Sequence, residues 1–184
     1  DSRHRSFADL LEAARSKAGA VSYGSTGEGS LAHSTMIVLE KKTGTQFLHV
    51  PYKGAAQSML ALVAGEVNMS IGAPEEVKGH VDGGKLRIIA TASGSRVPGF
   101  EAVPTLKELG LELVLDNMKG LMAPAGLPDP VYEYLHEAFR RALESAAWKE
   151  QSGRAGLLTD YKDGPGFQKD IVDGFTLIGS AVRK

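Results

Sequence analysis

Ser25, Thr26 and Ser30, interleaved with Gly24, Gly27 and Gly29, are the residues whose types and spacing point most directly to chemistry. Hydroxyls donate hydrogen bonds, and glycines let a backbone come close to a ligand. Before this run, Gly19-Ala20-Val21-Ser22-Tyr23 reads as a short apolar strand. After it, Leu31, Thr35 and Val38 recur at helical spacing, with Ala32, Met36 and Leu39 alongside. A strand, a glycine-rich turn and a helix start make an anion site. The free N–H groups of the first helical turn and the positive end of the helix dipole face whatever sits there. The chemistry predicted for Ser25, Thr26, Gly27, Gly29 and Ser30 is therefore capture of a carboxylate or phosphate. The same composition also serves a strand that merely doubles back into a helix, so the turn alone does not decide.

Other chemistries fit less well. No Gly-Lys-Ser/Thr follows the turn, and its glycines run GxxGxG rather than the dinucleotide GxGxxG. No serine lies in a Gly-x-Ser-x-Gly elbow. Ser30 and His33 stand three apart on one helix, but a hydrolase needs an acid behind the histidine, and the sequence singles none out. His4, His33, His49, His80 and His136 show no paired metal-ligand spacing, and there is no cysteine. No metal and no cofactor is expected. Glu75-Glu76 reads as the acidic start of a helix.

Two further turns join the first. Tyr52, Lys53 and Gly54 follow Pro51 at the carboxyl end of a second strand, and Gly72 and Ala73 follow a third. Open parallel sheets bind ligands outside the carboxyl ends of their strands. Lys53 stands at the unfavourable end of a helix dipole, which argues mildly for an anionic neighbour over a purely solvated role. Three such turns at one edge predict a binding crevice.

The elements that position these turns follow from periodicity and punctuation. Ser6 caps a first helix with Phe7, Leu10, Leu11, Ala14 and Ala18 inward. The second helix ends at Lys41-Lys42-Thr43-Gly44, the third at Gly65, and Pro74 opens a short fourth that Gly83-Gly84 closes. Strands are predicted at 46–50, 67–71, 86–92 and 111–115, with a short helix at 104–109. Alternation of strands and helices indicates an α/β fold with a mainly parallel sheet. Past a seam near residues 117–128 the chain turns helical. One long helix runs from Asp129 to a break at Gly153–Gly156, Leu157–Thr159 reads as a brief strand, and a last helix follows.

The chain has 184 residues, 42% hydrophobic and 23% charged, with a formal net charge of −1. That balance offers no general attraction to nucleic acid or an anionic membrane. No apolar run is long enough to span a bilayer, and no signal peptide is read at the front, where Asp1-Ser2-Arg3-His4-Arg5 leads into a helix.

Five ordered motifs carry a resemblance: Tyr-Gly-Ser-Thr-Gly-Glu-Gly-Ser-Leu-Ala-His at 23–33, His-Val-Pro-Tyr-Lys-Gly at 49–54, Gly-Lys-Leu-Arg at 84–87, Val-Pro-Thr-Leu-Lys-Glu-Leu-Gly at 103–110 and Ala-Pro-Ala-Gly-Leu-Pro at 123–128. The chain resembles the solute receptors of tripartite tricarboxylate transporters, the Bug-type periplasmic binding proteins. The resemblance implies a type II periplasmic-binding fold, two α/β lobes closing on a carboxylated metabolite. Residues 1–118 would form a complete second lobe, and 119–184 the hinge return and helical end of a partial first lobe. It implies backbone amides and hydroxyls as ligand contacts at Ser25, Thr26, Gly27, Gly29 and Ser30, and at Tyr52, Lys53 and Gly54. Many members carry an Asp in the third turn, where this chain has Gly72-Ala73-Pro74, so a plain di- or tricarboxylate is favoured over an amino acid. Members also begin with a further stretch that forms most of the first lobe, and that stretch has no counterpart here.

The function expected is a periplasmic receptor, not an enzyme, that hands a small carboxylate to membrane permease subunits. The alternatives are a ligand-sensing domain of similar fold in a signalling system, or a small hydrolase or transferase using the glycine-rich turn. The apolar stripes of the last helices (Leu135, Phe139, Ile171, Phe175, Ile178) are expected either to pack back on the intact lobe of residues 1–118 or to build a homodimer, with the dimer favoured.

Overall fold

The computed structural model describes residues 2, 4–155, 157 and 159–182. Its chain order begins with helix α1 (Phe7–Ser16), then alternates strand and helix: β1 (Ser22–Ser25), α2 (Leu31–Thr43), β2 (Leu48–Pro51), α3 (Ala55–Ala64), β3 (Met69–Ser70) and α4 (Pro74–Asp82). Three more helices follow, α5 (Asp129–Glu144), α6 (Ala146–Ala155) and α7 (Gly164–Val182). The caps act as the sequence predicts. The Ser6 hydroxyl accepts from Asp9 N at 3.1 Å, and the Asp9 carboxylate accepts from Ser6 N at 3.0 Å, a reciprocal pair that satisfies two orphan donors of α1. Gly44 and Gly65 stop α2 and α3, and Pro74 opens α4.

The sheet is parallel, in the order β2-β1-β3. Ser22 to Ser25 pair with Leu48 to Pro51, and Tyr23 and Gly24 with Met69 and Ser70. A side-chain clamp fixes the second pairing: Asn68 Oδ1 accepts from Ser22 N at 2.9 Å, and Asn68 N donates to Ser22 O at 3.1 Å. Beneath β1 lies a core of Leu10, Ala14, Val21, Tyr23, Met36, Val38, Leu39, Phe47, Leu106, Leu113 and Leu115. Burying it removes the apolar faces of α1 and α2 from water and so fixes where the β1–α2 turn stands.

Several expected elements differ. Residues 86–92 and 111–115 join no ladder. Thr91 makes one isolated parallel bridge with Thr105, and Leu115 N donates to Ala92 O at 2.9 Å. Leu113 and Leu115 are buried in the core, and Ile89, Ala90, Ala92 and Leu111 pack half-buried against it, instead of against further strands. Residues 104–109 form turns rather than a helix. The long C-terminal helix breaks at Ser145, not at Gly153. Ser145 is extended (φ −65°, ψ 148°), and its hydroxyl accepts from Trp148 N at 3.2 Å, so it closes α5 and caps α6. The brief strand expected at 157–159 includes Leu158, which lies outside the described residues; Leu157 and Thr159 are not in a strand.

The chain divides into two compact units, Asp1–Asn117 with Val172–Lys184, and Met118–Ile171. Within the first, Leu177, Ile178 and Ala181 of α7 pack on the core, and Lys41 Nζ donates to Ser180 O at 2.6 Å. Within the second, the Tyr161 hydroxyl meets His136 Nε2 at 2.6 Å, and Trp148 Nε1 donates to Thr159 Oγ1 at 3.1 Å. The stripe expected to face inward on α5 is exposed at Val131, Leu135 and Phe139, as are Ile171, Phe175 and Val182 on α7.

Candidate functional site

Parallel pairing brings three turns to one edge, because the carboxyl ends of β1, β2 and β3 all point the same way. The first is the loop between Ser25 and α2. Gly27 (φ 121°) and Gly29 (φ 73°) both hold positive φ, which L side chains rarely adopt. A Cβ on Gly29 would meet nothing within 4 Å, so this backbone borders open space. Ser30 caps α2, its hydroxyl accepting from His33 N at 3.3 Å. Thr26 and Gly29 are exposed, and Gly27 and Ser30 half-buried.

The donors of this loop fall into two groups. Gly27 N donates to Ser25 Oγ at 3.1 Å, Gly29 N to His33 Nδ1 at 3.0 Å, and Ser30 N to Gly27 O at 3.3 Å. Among the described residues, the N–H groups of Thr26, Glu28, Leu31 and Ala32 have no protein acceptor. Two of these belong to the first turn of α2, where the helix dipole is positive. Free amides at a helix start, on a loop shaped by glycine, can hold a carboxylate.

Ser25 serves differently from its neighbours. Its side chain is 0% exposed, and its hydroxyl lies 2.7 Å from His49 Nε2, within reach of Gly27 N and, at 3.2 Å, of Gly27 O. It ties the loop to β2 from inside. The pair superficially resembles a serine–histidine couple, yet a hydroxyl sealed from solvent is out of reach of a substrate. His33, weighed in the sequence as a partner of Ser30, instead accepts from the Gly29 amide.

Behind the loop three rings stack. His33 lies on His49 with centroids 4.2 Å apart and planes 10° apart, and His49 lies on Tyr23 at 4.8 Å and 18°. Burial, with His33 adding to it, pulls the pKa of His49 below its ordinary value, and burial raises that of the Tyr23 phenol. Sequence reasoning missed this column. Tyr23 and His49 are opposite one another only once β1 and β2 are in register.

The second turn packs against the first. Tyr52 N donates to Ser25 O at 3.0 Å, and Lys53 N to Gln57 Oε1 at 3.2 Å. The Tyr52 ring covers Gly24, where an added Cβ would sit 3.3 Å from the ring and 2.5 Å from Ser58 Oγ. Burial and the nearby Glu66 carboxylate raise the pKa of the Tyr52 phenol. Lys53 is exposed, and Gly54 precedes α3. In the third turn the Ala73 amide is taken by the Glu76 carboxylate at 2.8 Å. A Cβ on Gly72 would press on Met59, Glu76 and Val77 at 3.0 to 3.1 Å. This turn therefore presents fewer open donors than the first. Among the described residues, no group of three or more His, Asp or Glu side chains is placed to hold a metal, and no helix is long and apolar enough to cross a membrane.

Comparison with known proteins agrees with this geometry. The sequence profile described as tripartite tricarboxylate transporter family receptor matches residues 1–177. The UPF0065 protein in the gbd 5′ region of Cupriavidus necator is 38% identical over 161 residues, which is 88% of this chain and 49% of that protein. The chain spans about half the length of the curated relatives it matches. A solute-binding protein from Polaromonas, solved without ligand, superposes with a TM-score of 0.81 at 29% identity, covering 98% of this chain and 63% of that one. An R. palustris protein solved with adipate shares the fold with a TM-score of 0.77 at 23% identity, covering 96% and 60%. Parallel sheet and flanking helices are thus those of periplasmic binding proteins, whose business is binding solutes rather than transforming them. The chain belongs to the tripartite tricarboxylate transporter receptor family.

Proposed function

We propose that this chain carries one wall of a periplasmic receptor cleft that captures a small di- or tricarboxylate for delivery to membrane permease subunits. The observation that carries the reading is the set of open amides at Thr26, Glu28, Leu31 and Ala32, at the carboxyl edge of a parallel sheet. The family match and the adipate held by a protein of the same fold support a carboxylate as the ligand. Thr26, Gly27, Gly29 and Ser30 form the inner wall, braced from beneath by the buried Ser25, with Tyr52, Lys53 and Gly54 beside them and Gly72 and Ala73 at the far turn. In this arrangement residues 1–118 act as one lobe, and 119–184 carry the return towards the other. The exposed Val131, Leu135 and Phe139 support a contact surface on α5, and light scattering tests whether a second copy covers it.

The test of ligand class is a thermal-shift panel of adipate, malate, citrate and neutral analogues such as the diamides. A ligand specific to the folded state, at a hundred times its dissociation constant, adds about 2.7 kcal/mol of stability. Carboxylates are expected to raise Tm and the diamides to leave it unchanged. Equal shifts with both would exclude a charge-reading loop.

Lys53 supplies a second test. An exposed ammonium beside the Pro51 turn attracts an anion through a field that salt screens. Lys53→Ala is expected to weaken carboxylate binding by about 1 kcal/mol or less at low salt, and to flatten the dependence of affinity on ionic strength. Titrations of both proteins across a salt series measure it. Parallel salt slopes would show that Lys53 only faces water.

A further inference from the structure

Two histidines hold the two ends of the anion loop, and they do so through different atoms. His49 reaches Gly27 by way of the Ser25 hydroxyl, while His33 accepts the Gly29 amide directly on Nδ1 at 3.0 Å. As long as Nδ1 of His33 bears a lone pair, Gly29 N–H is used internally and is withheld from a ligand. A proton on Nδ1 removes that acceptor and sets two donors, Nδ1–H and Gly29 N–H, facing one another. An oxygen that accepts from both relieves the opposition, and a carboxylate oxygen does so with the added attraction of its charge for the imidazolium, which water lacks.

We propose that His33 is a positioning residue whose protonation releases the Gly29 amide to the ligand, so that the loop binds carboxylates more tightly as pH falls. The inference rests on the receptor reading above. Titratable groups surround His33 from β1, β2, the loop and α2 itself. From β2, His49 stacks on it, kept on the neutral side chiefly by burial. From β1, the Tyr23 phenol, at the end of the ring column, is held protonated by burial. On the loop, Glu28 favours positive charge on His49, and along α2 the Glu40 carboxylate feels His33 through space. Glu40 itself accepts from Phe47 N at 2.6 Å and so remains engaged elsewhere. The sign follows by linkage: if the protonated form binds the anion better, binding takes up a proton, and affinity is lost as pH rises through the His33 titration.

Two measurements on the intact chain test this. The first needs no ligand. Nitrogen-15 spectra at neutral pH are expected to show His33 as the Nε2–H tautomer, and the Gly29 amide proton to shift along the His33 titration curve. An Nδ1–H tautomer, or a Gly29 amide indifferent to that titration, would overturn the proposal. The second compares adipate binding by the parent and by His33→Gln between about pH 8 and about pH 5.5, the range in which histidine titrates. Glutamine accepts from Gly29 but does not titrate, and protonation of adipate itself affects both proteins alike. The parent is expected to gain about tenfold over the variant on acidification, the scale of one hydrogen bond to a charged group. Equal pH slopes with measurable binding would overturn this inference alone. No binding by either protein at any pH would overturn the receptor reading and this inference with it.

Discussion

Gly27→Val and Gly29→Val are each expected to abolish carboxylate binding while the sheet and its core remain folded. Both positions hold positive φ, 121° and 73°, where a β-branched side chain is strained. The strain costs about 1–3 kcal/mol, and the loop relieves it by leaving the conformation that aligns its open amides. At Gly29 the added side chain also projects into the space a ligand would occupy, since nothing lies within 4 Å of its Cβ position. Because no core residue touches that position, the far-ultraviolet circular dichroism should match the parent. Calorimetric titration measures the binding, and parent-like affinity in Gly29→Val would remove this loop from the site. Thr26→Ala is expected to be milder, weakening binding by about 1–3 kcal/mol if its hydroxyl meets a charged oxygen.

Met36→Ala is expected to have the largest effect on stability. Met36 is 0% exposed on α2, within the cluster that includes Val21, Tyr23 and Leu39. Truncating a buried Met to Ala typically costs about 2–5 kcal/mol, the transfer of its methylenes plus the cavity left behind. Urea unfolding should show a lower midpoint with an unchanged slope, the sign of lost stability rather than altered compactness. A loss below about 1 kcal/mol would mean that the core closes over the gap, as the most tolerant sites do. The connection to function is mechanical. Met36 sits less than a turn from His33, so the packing that seats α2 also seats its open first turn.

Local chemistry was legible where a residue acts on its own neighbours. Ser6, Ser30, Gly44, Gly65 and Pro74 mark helix ends through bonds or torsions within a few residues, and each does so in the structure. The strand–turn–helix connection at 22–31 was readable for the same reason: its glycines and Ser30 are adjacent in sequence. What pairing decides was not readable. The apolar run 86–92 has the composition of a buried strand, but a strand exists only where a neighbour accepts its ladder, and here one bridge at Thr91 is all that forms. The same applies to the site. In sequence His49 reads as a strand residue and His33 as a helix residue near Ser30. Their stack, with Ser25 and Gly29 hydrogen-bonded to them, depends on β1 and β2 lying in register across more than twenty residues of chain. The break at Ser145 was misplaced because glycine was weighed as the stronger stop. A serine hydroxyl that caps the next helix proved the better one.

The clamp between Ser22 and Asn68 has a consequence for the order in which the edge assembles and opens. It joins residues 46 apart in sequence, and the strand it anchors has only two residues. Closing a loop of that length costs conformational entropy before any contact compensates for it. β1 and β2, linked by a shorter connection and paired over four residues, are placed to form first. β3 then docks late on few hydrogen bonds, and it is the part of the sheet that detaches first in a local fluctuation. The turn that β3 carries, at Gly72 and Ala73, inherits that looseness, while the loop at Gly27 and Gly29 sits on the most firmly held strand. One edge turn thus sits on a strand paired on both sides and the other on a strand held by two residues, so a disturbance at the edge is absorbed at Gly72 and Ala73 before it reaches Gly27 and Gly29.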